Sequence, residues 1–165
     1  MAVGILGLTM ALGFSGCQSE NQKNQDAYRK IGINSMAEGD YDKAVKSFQK
    51  ALDTSLGKIG AEEIDICYYK AAAQFAKKDY DGAIETYTSL IDYDKENANA
   101  YYLRGSVYLD TDKKDKAFKD YKNAVKYAGR EYEIYEGIYE NLTNKGETEE
   151  AKNYLKKALD IKPKD

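Results

Sequence analysis

Four stretches of the chain repeat one arrangement of small and apolar side chains. Ala44, Ala83, Ala117 and Ala151 lie 39, 34 and 34 residues apart. Four residues after each comes Phe48, Tyr87, Tyr121 or Leu155, and three further on Ala51, Leu90, Ala124 or Ala158. Positions i, i+4 and i+7 share one face of a helix, so each set predicts the buried stripe of a short amphipathic helix. A second stripe runs ahead of each first one. It comprises Tyr28, Ile31, Gly32 and Ser35, then Cys67, Lys70, Ala71 and Gln74. Tyr101, Arg104, Gly105 and Tyr108 follow in the third unit, and Tyr135, Ile138, Tyr139 and Leu142 in the fourth. Turn signals separate the paired helices at Glu38-Gly39-Asp40, Lys78-Asp79, Thr111-Asp112 and Lys145-Gly146-Glu147. Asp40, Asp79 and Thr148 stand where they would cap the helices that follow.

A helical hairpin of this size cannot dry its own apolar stripe, so hairpins must stack, and three or more are needed for stability. The pattern departs from regularity in three places. The first spacing carries five extra residues, which fall in Leu56 to Glu63 and predict a connecting loop stopped by Gly57 and Gly60. Tyr139 occupies the position held by Gly32, Ala71 and Gly105, which predicts wider packing within the last hairpin. Leu159 and Ile161 repeat the stacking positions of Leu52/Thr54, Ile91/Tyr93 and Val125/Tyr127 with no further helix after them. That end is expected to be partly exposed, to support weak self-association, or to receive a partner's helix.

The columns resemble the tetratricopeptide repeat, a 34-residue pair of helices, A and B. Its most typical stretches here are GDYDKAVKSFQKAL (39–52), AYYLRGSVY (100–108) and AKNYLKKALDIKP (151–163). The resemblance implies an all-α fold, a right-handed α–α superhelix of four helix-turn-helix hairpins over 27–165. It also implies a concave groove lined by A helices and a role in holding other proteins.

Residues 1–16 carry no charge and are too short to span a bilayer, which takes about 20 residues. They read as the apolar part of a secretory signal. Phe14-Ser15-Gly16-Cys17 resembles the bacterial lipobox, in which the Cys becomes lipidated after cleavage on its N-terminal side. Phe14 stands where Leu is usual, and no Lys or Arg precedes the run, which would place the true start upstream of Met1. An ordinary signal peptide and a short helix of the fold are the alternatives. With Cys17 lipidated, residues 17–26 form a polar tether, and the protein is expected on a membrane in the extracytoplasmic cell envelope.

Chemistry is sparse by comparison. The chain has 25 basic and 28 acidic residues and no His, so the commonest general base and metal ligand is missing. The balanced charge speaks against a nucleic-acid partner. Cys67 has no base to activate it and reads as a small packing residue. Gly57-Lys58 is not followed by Ser or Thr, so it is no phosphate loop, and neither calcium-type nor zinc-type ligand spacings occur. The sequon Asn141-Leu142-Thr143 falls inside a helix. No catalytic residue, cofactor or metal is expected, and an enzyme is not.

Carried over unit by unit, the family's groove positions are Asp26, Arg29, Ile33 and Met36; Asp65, Tyr68, Ala72 and Phe75; Asn99, Tyr102, Ser106 and Leu109; and Glu133, Glu136, Glu140 and Thr143. They predict an aromatic centre with an acidic C-terminal end, suited to a peptide or protein segment bearing apolar side chains and a Lys or Arg. The alternative is that the aromatics only pack between neighbouring A helices. The carboxylate clamp of some co-chaperones of this family is a poor match, because Ile33 and Leu103 stand where it needs Asn and a base. The expected function is a lipid-anchored interaction scaffold. The alternatives are an assembly factor of the pilotin or envelope-biogenesis kind, or a self-assembling structural element.

Overall fold

The computed structural model describes residues 19–162. The apolar segment 1–16, Cys17 and residues 163–165 lie outside the described residues. Eight helices follow one another: α1 (Glu20–Ala37), α2 (Tyr41–Thr54), α3 (Ala61–Ala76), α4 (Tyr80–Tyr93), α5 (Ala98–Asp110), α6 (Lys114–Ala128), α7 (Tyr132–Asn144) and α8 (Thr148–Ile161). Among the described residues there is no strand. Each odd helix pairs with the even helix after it, and the four hairpins stack into a right-handed superhelix. The first of each pair lies inside the curve, since α1 packs on α3 and α5 on α7.

The repeating columns form the core. Ala44, Ala83, Ala117 and Ala51 and Ala124 are sealed from solvent, and Phe48 and Tyr121 are fully buried between helices. Burial of each such ring contributes roughly 1.5–3 kcal/mol. Leu155, at the matching place in α8, is only half buried, because no described helix packs beyond it. Leu159 is 61% exposed, while Ile161 rests against the C-terminal core.

Small residues set the closeness of each hairpin. A methyl group on Gly32 would lie 2.5 Å from the Phe48 ring, and one on Gly105 would lie 2.8 Å from that of Tyr121. Glycine lets the rings of the B helices rest on the A-helix backbone. In the last hairpin Tyr139 is half buried at this place, and Ile138 and Leu142 supply the sealed contacts.

All four turns within hairpins close in the same way. The second residue after each A helix adopts a left-handed conformation, at Gly39, Lys78, Asp112 and Gly146. The next N–H then bonds back to the carbonyl five residues earlier: Asp40 to Ser35, Asp79 to Gln74 and Lys113 to Tyr108 at 2.8 Å, and Glu147 to Leu142 at 2.9 Å. Asp40 and Asp79 cap α2 and α4 as expected, accepting from the N–H groups of Lys43 and Gly82. Thr148 does not cap α8. It is the first helical residue, and Glu147 holds the cap position without a side-chain bond.

Two other sequence readings shift. The first helix starts at Glu20, inside the stretch expected as a tether, because Gln22 and Gln25 donate to Glu62 and Glu63 of α3 at 2.6 and 2.7 Å. Within α3 the sealed positions are Ile66, Ala71 and Ala73, and Cys67 is half buried beside them. Burial raises the Cys67 thiol above its ordinary pKa, which keeps it protonated near neutrality. The extra residues are shared between the α2–α3 loop, 55–60, with Leu56 and Gly57 both left-handed, and α3, which already includes Ala61, Glu62 and Glu63 of the stretch expected as loop.

Candidate interaction groove

The inner helices present their faces to one trough, and the expected groove residues differ in how free they are. At its N-terminal end Arg29 donates through Nε to Asp65 Oδ2 at 3.0 Å and through Nη2 to the same oxygen, linking α1 to α3. Its guanidinium also covers the Tyr69 ring at 5.3 Å. Ile33 and Met36 are half buried and lean on the first core cluster. Near them Glu62 feels both burial and the carboxylate of Asp26, and its pKa is raised, burial being the larger cause.

In the middle of the trough Tyr68 lies tilted against Tyr87 at 6.4 Å and donates its hydroxyl to Asn97 Oδ1 at 2.6 Å. The same oxygen accepts the Ala100 N–H and so caps α5. One asparagine therefore joins α3 to α5 and starts the third hairpin. Phe75 is turned edge-on to Tyr80, leaving it half buried. Ala72 is half buried and Asn99 is exposed.

Tyr102 lies at 6.4 Å from the Tyr121 ring and reaches toward α7, where its hydroxyl occupies the space that a side chain on Gly137 would fill. Beside it Asn141 donates to Ser106 Oγ at 2.7 Å and to the Tyr121 hydroxyl at 3.4 Å. These groups bring α5, α6 and α7 together around a small polar centre. Burial pushes the Tyr121 phenol up to about 12 and raises Tyr102 as well. Both stay protonated at neutral pH and can donate. At the far end Glu133, Glu140 and Thr143 are exposed, while half-buried Glu136 accepts from the Tyr132 hydroxyl at 2.6 Å.

One expected groove residue is not there. Leu109 is 2% exposed and belongs to the core of hairpins three and four, so its side chain is not open to the trough. Other residues of the site were not singled out from the sequence. Asn97 carries an ordinary helix-cap signal that could have found it. Asn141 enters the sequence pattern only as part of a sequon, and Glu62 falls in the stretch expected as a connecting loop, whereas it lies in the first turn of α3. The acidic character, expected at the C-terminal end alone, also marks the N-terminal end through Asp26, Glu62 and Asp65.

Profiles of the TPR repeat match residues 71–112, and profiles of the tetratricopeptide repeat match 29–88, 98–130 and 140–165. No curated protein sequence matches the chain significantly. Among solved structures it is similar to MamA, at 26% identity and a TM-score of 0.65, with 84% of this chain and 78% of that one covered. A MamA from Desulfovibrio magneticus gives 22% identity and a TM-score of 0.66, covering 86% and 76%. YrrB, a TPR protein with an unusual peptide-binding site, gives 19% and 0.61, covering 84% and 69%. With its hairpins stacked in register and these profiles spread along it, the chain belongs to the tetratricopeptide-repeat family and folds as its solenoid.

Proposed function

We propose that the protein is a non-enzymatic interaction scaffold that holds a peptide or protein segment in the trough between Arg29 and Glu140. The observation that carries this reading is the juxtaposition of Tyr68 and Tyr102 with Asn97, Ser106 and Asn141. Half-buried rings supply apolar contact area at low entropic cost, and the amides and hydroxyls beside them can exchange bonds with a peptide backbone. Carboxylates at both ends favour a segment carrying Lys or Arg toward its termini. YrrB lends support of a general kind, since a peptide-binding site occurs on a fold similar to this one.

The finer part of the proposal concerns location. Cys17 carries a lipid, and the scaffold works from the extracytoplasmic side of a membrane, with four repeats forming the mature domain. Stable capture of one partner is the scaffold's signature, whereas transient capture at one stage of a client's assembly belongs to the assembly-factor alternative. Photocrosslinkers placed at Tyr68 and Tyr102 in the native host should each give the same discrete adduct. A crosslinker at exposed Lys119, on the outer helix α6, should not. Equal labelling from all three positions would overturn the groove reading.

A further inference from the structure

The edge of the solenoid opposite the hairpin turns carries apolar side chains that folding does not explain. Leu56 is 75% exposed and held at a φ of 54°, in the left-handed region. A branched side chain there gains neither burial nor a favourable backbone. Ile59 is 57% exposed in the same loop, and Tyr93, at the end of α4, is 55% exposed. Between Ile59 and Tyr93 opens an apolar pocket of about 270 Å³, lined also by Leu52, Ile64, Cys67 and Leu90. The loop, 55–60, is longer than the joints at 94–97 and 129–131.

The start of α1 lies on this edge too. Gln22 and Gln25 bond to Glu62 and Glu63, so the first turn of α1 stands level with the first turn of α3 and with the loop leading into it. Cys17 precedes Glu20 by three residues, which reach about 10 Å at full extension. A lipid held at Cys17 therefore brings this edge, and not the turns at Gly39, Lys78, Asp112 and Gly146, against the bilayer. The charges here are mixed, and Lys95 is already paired with Asp92 at 2.6 Å. Apolar insertion, with the tyrosine at headgroup depth, is the contact the edge offers. Among the described residues no helix is long and apolar enough to cross a membrane, so the contact is interfacial.

We propose that the edge formed by the start of α1, the α2–α3 loop and the end of α4 lies on the lipid surface, with Leu56 and Ile59 inserted. This rests on the lipid anchor at Cys17, and it orients the groove as well as tethering it. The solenoid then stands end-on to the membrane along this edge, leaving the trough open to a partner from the side.

The chain has no Trp, so a single introduced Trp reports alone. The full chain, matured in its host and reconstituted into phosphatidylethanolamine and phosphatidylglycerol vesicles with brominated acyl chains, is compared as Ile59→Trp, Leu56→Trp and Glu38→Trp. Mass spectrometry of the same preparations reads acylation of Cys17. The expected result is acylated Cys17 with both loop reporters quenched several-fold more than the reporter at position 38. Acylated Cys17 with equal quenching at all three positions overturns the edge contact and leaves the anchor standing. Unmodified Cys17 overturns the anchor, and the proposal with it.

Discussion

The third and fourth hairpins follow the same 34-residue spacing yet are held together by different forces. In the third, Arg104 of α5 grips Asp120 of α6 through Nε and Nη2 at 2.8 and 2.9 Å, and its Nη1 reaches Thr88 of α4 at 2.9 Å. Tyr101 and Tyr108 flank the guanidinium at 5.7 and 5.9 Å. In register, the fourth hairpin has Ile138 for Arg104, Tyr139 for Gly105 and Tyr154 for Asp120. Ile138 is sealed, and Tyr154 turns its ring edge-on to Tyr121 at 6.4 Å. An inner hairpin, covered on both sides, can hold a buried ion pair because neighbours complete its hydrogen bonds. The fourth hairpin, which has one neighbour among the described residues, uses apolar contact at the same positions.

This contrast gives the largest expected effect. Asp120 is 3% exposed and the Arg104 side chain 15%, so Asp120→Ala leaves a largely covered guanidinium without its carboxylate and should cost about 3 kcal/mol in urea unfolding. Copying the fourth hairpin, with Arg104→Ile and Asp120→Tyr together, should return stability to within about 1 kcal/mol of the parent. If the double variant is as unstable as the single one, the two hairpins are not alternative solutions to one packing problem, and the comparison fails.

An effect of nearly that size follows from Tyr121, whose counterpart Leu155 cannot titrate. Burial raises the Tyr121 phenol to about 12, above the unfolded value near 10. A raised pKa favours the protonated, folded form. The contribution is therefore complete below about pH 10 and is lost as pH climbs through 12, in total about 3 kcal/mol. Tyr87 is raised in the same direction by burial and will add to the alkaline loss. Comparing the parent with Tyr121→Phe by chemical denaturation at pH 8 and at pH 11.5 should show a smaller fall for the variant. Equal falls would mean that this ring does not titrate with unfolding.

How much of this was legible depends on the kind of contact. The columns of Ala44, Phe48 and Ala51 and their copies repeat a spacing and could be read directly, and Asp40 and Asp79 are caps that follow from local geometry. The start of α1 was hidden because Gln22 and Gln25 dock by amide-to-carboxylate bonds, which leave no apolar stripe. Arg104 and Asp120 sit on separate helices among many charges, so nothing in the linear pattern pairs them. In the groove the face of each A helix was readable, but its depth was not. Leu109 lies at the end of α5, where the next hairpin closes over it, and Tyr68 and Tyr102 are half consumed by packing against Tyr87 and Tyr121.

The smallest effect tests the two turns. Asp112 closes the third hairpin at a φ of 58°, and Gly146 closes the fourth at 79°. The backbone bonds around them match, with Lys113 bonding to Tyr108 and Glu147 to Leu142. The difference is then one of conformational cost. A residue with a Cβ is disfavoured in the left-handed region, less so for Asp than for most, while glycine gives back part of the gain through its freer unfolded chain. Asp112→Gly should therefore stabilise by about 0.5 kcal/mol, and Gly146→Asp should destabilise by about 1 kcal/mol. Asp112 also attracts Lys114 and Lys145, so the measurement belongs at high salt, where those exposed charges are screened. Should Asp112→Gly destabilise even there, the aspartate side chain is itself part of the turn, and the third hairpin departs from the fourth in its loop as well as in its core.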